Sequence, residues 1–381
     1  MKKIASYALG CKVNQYESEA IAELFAEKGY EVVSVDDEAD VYIINTCTVT
    51  NFGDKKSRQL IRKVKRQNEN AIVAVVGCYA QTAPEELAAV HGVNLVIGTK
   101  DKSKIVELVE DYQAEQGVQN YVTDIMHERV FEPLEIKKLA NRTRAYLKIQ
   151  DGCSQFCSYC IIPYARGPIR SRQPEDVIAE VKRLAENGFK EVVLTGIHVA
   201  SYGKDLKTIT LTDIIRQVHE VEGIERIRFS SIEPNVVTEE FAAAMAELPK
   251  VCDHFHLSLQ SGCDKTLKEM NRKYDTEKYR QAAALLRKYL PDVAITTDII
   301  VGFPGETEED YQASRAFAEE IGFSKIHVFP YSPKKGTPAA ARKDQLQNAV
   351  KQERSHDLIT VSDRMTDAFL QKHVGKVMPV L

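Results

Sequence analysis

The sequence predicts an α/β protein of two parallel-sheet units: a doubly wound, flavodoxin-like sheet over residues 1–112 and a six-stranded partial (βα)6 barrel over residues 144–370. Three observations predict it. Short apolar runs alternate with helical patterns from residue 3 onward, the mark of parallel strands joined by helical crossovers. Runs such as Tyr42-Ile43-Ile44 and Ile72-Val73-Ala74-Val75-Val76 are apolar without alternation, as strands buried on both faces are. The alternation then restarts with longer repeats at Arg144, after a stretch of mixed pattern over 113–143 that contains Pro133 and reads as a linker.

Composition agrees with an ordinary globular chain: 44% hydrophobic and 28% charged residues are enough to bury sizeable cores. No apolar run approaches the roughly 18 residues of a membrane span, and the apolar stretch after Met1-Lys2-Lys3 is too short for a secretory signal. The expected location is the cytoplasm, without membrane attachment. There, eight cysteines point to metal binding or catalysis rather than to disulfides. A net charge of −4 argues against a basic coat over the whole surface but allows a local basic face.

In the first unit, strands are expected at 3–8, 30–33, 41–45, 71–76 and 94–97, and helices near 18–28, 54–67, 84–90 and 102–112. Cys11 follows the first strand, Cys47 the third and Cys78 the fourth. In a 2-1-3-4-5 order these strands are neighbours, and such sheets bind ligands beyond their carboxyl ends. The three thiols would therefore converge on one crevice as a shared metal site. The plainer alternative is three unrelated core residues, since free cysteine is commonly a small core hydrophobe. On helix 54–67, Lys55, Arg58, Arg62, Lys65 and Arg66 fall in one arc, opposite Leu60, Ile61 and Val64. Charges of one sign on one face repel, so this face is either a nucleic-acid contact or merely solvated.

In the second unit, strands are expected at 145–149, 191–194, 226–230, 254–259, 295–301 and 325–329. The helix 174–187 is typical of the crossovers, with Pro174 near its start and Gly188 at its end. Catalytic residues of such barrels lie on the loops after the strands. Cys153, Cys157 and Cys160 lie there, spaced C-x-x-x-C-x-x-C. A structural zinc site would want a fourth ligand, and neither Cys nor His stands nearby. Three thiolates on a four-iron, four-sulfur cluster leave one iron open, able to bind the amino and carboxyl groups of S-adenosylmethionine. Cys252, Cys263, His198, His254 and His256 show no ligand spacing and read as core residues.

The three-cysteine motif with Tyr159 resembles the radical S-adenosylmethionine superfamily, and its combination with the N-terminal triad resembles the methylthiotransferase family within it. The motifs are Gly10-Cys11-Lys12-Val13-Asn14-Gln15-Tyr16-Glu17-Ser18, Asn45-Thr46-Cys47-Thr48-Val49-Thr50, Gly77-Cys78, Leu259-Gln260-Ser261-Gly262 and Gly302-Phe303-Pro304-Gly305-Glu306. The resemblance implies transfer of sulfur plus a methyl group to an unactivated C–H carbon, with two four-iron clusters. The cluster on Cys153, Cys157 and Cys160 would reduce S-adenosylmethionine to methionine and a 5′-deoxyadenosyl radical. The cluster on Cys11, Cys47 and Cys78 would provide sulfur, and a further S-adenosylmethionine the methyl. By position, Tyr159, Thr195, Gly196, Ser231, Glu233, Gln260 and Ser261 would contact the cofactor, with Gly302 and Gly305 letting backbone approach its adenine. Ordinary turn chemistry is the alternative for each.

Three branches of the family compete. One, acting on isopentenyladenosine in tRNA, begins like G-C-Q-M-N; another, acting on a ribosomal-protein aspartate, begins like G-C-P-K-N. The present G-C-K-V-N-Q-Y-E-S resembles the branch that methylthiolates C2 of N6-threonylcarbamoyladenosine beside the tRNA anticodon, and the basic helix agrees. The implied partners are tRNA and a one-electron reductant such as a flavodoxin or ferredoxin, with the enzyme a monomer. Family members end in a small β-barrel RNA-binding domain, and residues 371–381 read as the opening strand of one cut short. A different class, a two-cluster electron carrier without catalysis, is disfavoured because carriers close all four iron positions with cysteine.

Overall fold

The structure, a computed structural model, describes residues 1–136, 143–378 and 380–381; residues 137–142 of the expected linker and Pro379 of the expected terminal strand lie outside the described residues. The first sheet comprises β1 (Lys3–Ala8), β2 (Glu31–Val32), β3 (Val41–Thr46), β4 (Ile72–Gly77), β5 (Leu95–Val96) and β6 (Gln119–Asn120). Its order is β2-β1-β3-β4-β5-β6, parallel throughout. The expected order 2-1-3-4-5 is present and gains β6 inside the stretch read as linker. That strand is two polar residues at a sheet edge, so no apolar pattern announces it.

β3 is buried along its whole length because both faces are covered. Tyr42 and Ile44 pack with Ile61 and Val64 on one side, while Ile43 packs with Ile21, Phe25 and Ile105 on the other. The first helix runs Lys12–Glu27, well before the expected start at 18. Its first turns bury Asn14, Glu17 and Ser18 beside Val13 and Tyr16. Polar residues on the buried face hide the helical period.

The second unit holds β7 (Arg144–Asp151), β8 (Arg170–Ser171), β9 (Glu191–Gly196), β10 (Arg226–Phe229), β11 (His254–His256), β12 (Ala294–Val301) and β13 (Lys325–Pro330). They form the ladders β10-β9-β7-β8 and β11-β12-β13. Parallel bridges Ile227–Val251 and Ile232–Leu257 carry the first ladder into the second, giving an open barrel. The six expected strands are all present and parallel; β8, antiparallel to β7, is an addition. Along β12 the residues alternate strictly: Ile295, Thr297, Ile299 and Val301 are buried, whereas Thr296, Asp298 and Ile300 are half-buried on the inner face. The outer faces of β7 and β9, through Leu147, Ile149, Val192 and Leu194, share one core with Val177, Val181 and Leu184 of the helix Pro174–Glu186.

The two units are docked. The helix Lys12–Glu27 lies against β7 and β9. The Thr99 hydroxyl donates to the Ala165 carbonyl at 2.7 Å, the Asn51 amide to the Pro333 carbonyl at 3.0 Å, and Lys334 pairs with Asp54. At the other end, the helix Asn348–Gln371 packs along β13, and residues 376–378 and 380–381 form no strand with any of the described residues. No described helix is long and apolar enough to cross a membrane.

Candidate active site

Beyond the end of β7 the chain turns at Gly152, with φ +73°, where a Cβ would lie 1.8 Å from the Pro168 carbonyl oxygen. Only glycine fits, and the turn delivers Cys153, whose N–H donates to the Gly167 carbonyl at 2.9 Å. Phe156 then sits at φ +50°, a left-handed conformation held by a 2.8 Å bond from the Asn271 amide to its carbonyl. This reversal brings Cys157 and Cys160 back toward Cys153. Burial and the neighbouring Cys157 sulfur push the Cys160 thiol up to about 12; burial pushes Cys153 up to about 11. Against this, Arg272 Nη1 donates to Cys157 Sγ at 3.1 Å, and Arg272 Nη2 is anchored on Glu233 at 2.8 Å.

The N-terminal triad is assembled from three loops. Cys11 caps the helix Lys12–Glu27, Cys47 follows β3, and Cys78 follows β4 and opens the helix Cys78–Thr82. Gly10, at φ +93°, approaches so closely that a Cβ would stand 2.5 Å from Cys47 Sγ. Gly77, at φ +94°, would bring a Cβ within 2.3 Å of Asn45 Oδ1. Glycine before two of the three cysteines is thus what lets the loops close on one another. Cys78 is buried while solvent still reaches Cys11, so the crevice is open on one side. Burial and the Cys78 sulfur push Cys47 up to about 12.

Three thiols gathered in one crevice repel one another once ionised, and a cationic iron–sulfur core would relieve that repulsion and keep them as thiolates. Both triads therefore fit iron–sulfur ligation, and neither offers zinc a fourth protein ligand: among the described residues, Cys252 lies beside Arg226 and Arg228, and Cys263 meets Asp310 at 3.5 Å. Both are half-buried rather than core.

Sequence reasoning missed Arg166. It closes the short helix Ile162–Arg166 after Cys160, is fully buried, and donates from Nε to Cys78 Sγ at 3.2 Å. Its Nη1 reaches Glu17 Oε1 at 2.6 Å and Asp151 Oδ2 at 3.3 Å, and its Nη2 reaches Asn14 Oδ1 at 2.6 Å. Lys148 joins Glu17 at 2.9 Å and Asp151 at 3.1 Å; Lys102 joins Glu17 at 3.2 Å. Burial alone would raise the Glu17 carboxyl, but Arg166, Lys102 and Lys148 outweigh it and hold it well below the usual carboxylate range. The available signal was Glu17 itself, a charged residue at a core position of its helix.

The remaining expected residues divide. Tyr159 is placed beside Arg272 and packs against the cluster of Met270, Phe303 and Tyr331. Glu233 holds Arg272 and stands 3.3 Å from His198 Nε2. Thr195 Oγ1 shares a 2.7 Å bond with Ser230 Oγ, and Gly196 lies against Gln150. Gln260 adopts φ +71° four residues beyond β11, in an isolated parallel bridge to Ile299, and Ser231 is exposed. Ser261, by contrast, is fully buried and accepts from the Cys263 N–H, which is turn chemistry. The close approaches at Gly302 and Gly305 are to this chain's own Lys351 and to Arg342 and Asp344. On the helix Asn51–Gln67, Lys55, Arg62 and Arg66 are exposed, but Arg58 pairs with Glu86 at 2.8 Å and Lys65 donates to the Ala71 carbonyl at 2.8 Å. The face is less uniformly free than its charge pattern suggests. His198, His254 and His256 are half-buried on the inner side, not core; His256, Asp298 and His327 bring their ligand atoms within 4.8 Å of one another.

Comparison with known proteins follows this geometry. The model of the radical SAM superfamily matches residues 147–318, and one described as uncharacterized protein family UPF0004 matches residues 3–98. The chain is 47% identical, over its full length and 85% of the relative, to threonylcarbamoyladenosine tRNA methylthiotransferase MtaB of Bacillus subtilis. It is 41% identical to the protein of that name from Aquifex aeolicus, covering 92% of it. A tRNA-2-methylthio-N(6)-dimethylallyladenosine synthase of Thermoanaerobacter sp. is 39% identical, with 98% of this chain and 80% of the relative covered. Among solved structures, the radical S-adenosylmethionine methyltransferase TsrM of Kitasatospora setae superposes with a TM-score of 0.64 at 16% identity, over 89% of this chain and 77% of that one, a likeness of fold.

Proposed function

The chain belongs to the radical S-adenosylmethionine methylthiotransferase family, and from that premise we propose that it methylthiolates C2 of N6-threonylcarbamoyladenosine beside the anticodon of tRNA. The observation that carries the reading is the pairing of two three-cysteine sites, each with a guanidinium on one sulfur, one of them completed across the junction of two docked units. Bound there, two four-iron clusters and S-adenosylmethionine supply one-electron cleavage to an adenosyl radical, a sulfur atom and a methyl group.

The chain's own residues hold and orient. Cys153, Cys157 and Cys160 hold one cluster, with Arg272 donating to Cys157 and Glu233 fixing Arg272. Cys11, Cys47 and Cys78 hold the other, with Arg166 donating to Cys78 from the opposite unit. Tyr159, Thr195, Gly196, Gln260, the half-buried His198 and the buried Glu233 surround the cofactor end of the barrel. The exposed cations of the helix Asn51–Gln67 meet tRNA phosphates. The enzyme works as a cytoplasmic monomer and draws single electrons from a flavodoxin or ferredoxin. The test is mass analysis of nucleosides after the reconstituted, reduced chain acts on tRNA bearing threonylcarbamoyladenosine. A 2-methylthio product is expected; product on isopentenyladenosine tRNA alone would overturn the substrate.

A further inference from the structure

Where β7, β9 and β10 begin, the inner face of the open barrel carries more positive charge than the one acid there neutralises. Arg144, Glu191 and Arg226 stand at one level of the sheet, and Tyr146 and Arg228 at the next. Glu191 is fully buried and receives Arg144 Nε at 2.5 Å, Arg226 Nε at 2.9 Å and Arg228 Nε at 3.1 Å. One carboxylate thus faces three guanidiniums. Lys12 adds a fourth cation from the docked N-terminal unit: its ammonium lies over the Tyr146 ring at 5.9 Å, flanked by Arg144 and Arg228, and meets no carboxylate among the described residues. His254 closes the group, bonded through Nε2 to Thr296 Oγ1 at 3.1 Å and facing Arg228 and Lys12.

Like charges gathered on one concave face repel and raise the affinity for an anion there. The position selects which anion. Lys12 directly follows Cys11 in the chain, and through it the group is tied to the N-terminal triad. Resting on the function proposed above, we infer that Lys12, Arg228 and His254 bind the threonyl carboxylate of the substrate nucleoside and so select it over an adenosine with an apolar isopentenyl group. An apolar group would offer the Lys12 ammonium no anion and leave the polar groups of Arg228 and His254 without that acceptor, the situation in which a binding site rejects an analogue most strongly.

The test is competition between two anticodon stem-loop RNAs that differ only in the threonylcarbamoyladenosine carboxyl, free in one and a methyl ester in the other. The reconstituted full chain should methylthiolate the free acid in preference by about tenfold or more. Lys12→Gln should reduce that preference to near parity, and Lys12→Arg should keep it. Lys12 is exposed and serves no core, so the variant folds; a merely structural role would slow both RNAs alike and leave the ratio unchanged. Equal use of acid and ester by the unaltered enzyme would overturn the inference, because a phosphate-binding surface does not sense the ester. An unchanged ratio in Lys12→Gln would also overturn it, while leaving the proposed function standing. Product on neither RNA, with product on an isopentenyladenosine stem-loop, would instead sink the function and the inference together.

Discussion

The two cysteine triads are built in opposite ways. Cys153, Cys157 and Cys160 come from one loop, shaped by Gly152 and the left-handed Phe156, and the guanidinium on Cys157 comes from the same unit. Cys11, Cys47 and Cys78 come from three loops of a parallel sheet, and the guanidinium on Cys78 comes from the other unit. The first site is a local device that its barrel can shape alone. The second is complete only when the two units are docked, so the environment of its sulfurs reports on the interface. This difference fits a division in which the barrel site starts the radical chemistry and the interfacial site delivers sulfur to what the radical has activated.

The comparison can be broken most severely at Cys157. Cys157→Ala should abolish 5′-deoxyadenosine release on reduction and halve the iron of the reconstituted protein, as colorimetric iron analysis would report. Loss of all iron would mean that the sites are not independent.

The next largest effect is expected at the two guanidiniums. Arg166→Gln takes the guanidinium donors away from the buried carboxylates of Glu17 and Asp151, and removal of one partner from such a network costs about 3–5 kcal/mol. Denaturant unfolding should show that loss together with selective depletion of the N-terminal cluster. Arg272→Gln should deplete the barrel cluster instead. If both variants lose the same cluster, the assignment of one guanidinium to each triad is wrong.

A smaller effect follows from His254, whose burial, with Arg228 nearby, lowers it from 6.5 to about 4. The unfolded state takes up the proton first, so stability is full above about pH 6.5 and falls as pH drops toward about 4. Between about pH 7.5 and about pH 5 the loss should be about 1–2 kcal/mol, allowing for partial exposure. His254→Asn should flatten that slope; an unchanged slope would show that the inner face is better solvated than the barrel geometry indicates.

Smallest is the basic helix. Because Arg58 is paired with Glu86, reversing Arg58, Arg62 and Arg66 to Glu should weaken tRNA binding mainly through the two free arginines. The salt dependence should become shallower by about two phosphate contacts. Unchanged affinity in filter binding would make the helix a solvated face.

What was legible in the sequence follows the same local-against-distant divide. The C-x-x-x-C-x-x-C spacing is local chemistry and can be read directly. The N-terminal convergence was readable only through topology, because Cys11, Cys47 and Cys78 become neighbours when β1, β3 and β4 adopt their order. Arg166, Lys102 and Lys148 gave no signal of their own: charged residues are ordinarily exposed, and nothing local says that three will be buried around Glu17. The early start of the helix Lys12–Glu27 was hidden for the same reason, its inward face being spent on polar residues of the site. β6 and β8 were missed because Gln119-Asn120 and Arg170-Ser171 are polar and carry no apolar signal, whereas the equally short β5 is announced by Leu95-Val96 and its apolar flanks.

The division of labour between the triads is tested most directly by one variant, Cys11→Ala, Cys47→Ala and Cys78→Ala together. On a single folded sample, iron, 5′-deoxyadenosine and modified nucleoside would be measured after reduction with S-adenosylmethionine and threonylcarbamoyladenosine tRNA. One remaining cluster, continued 5′-deoxyadenosine release and no 2-methylthio product are expected. Methylthio product from that variant would contradict the account.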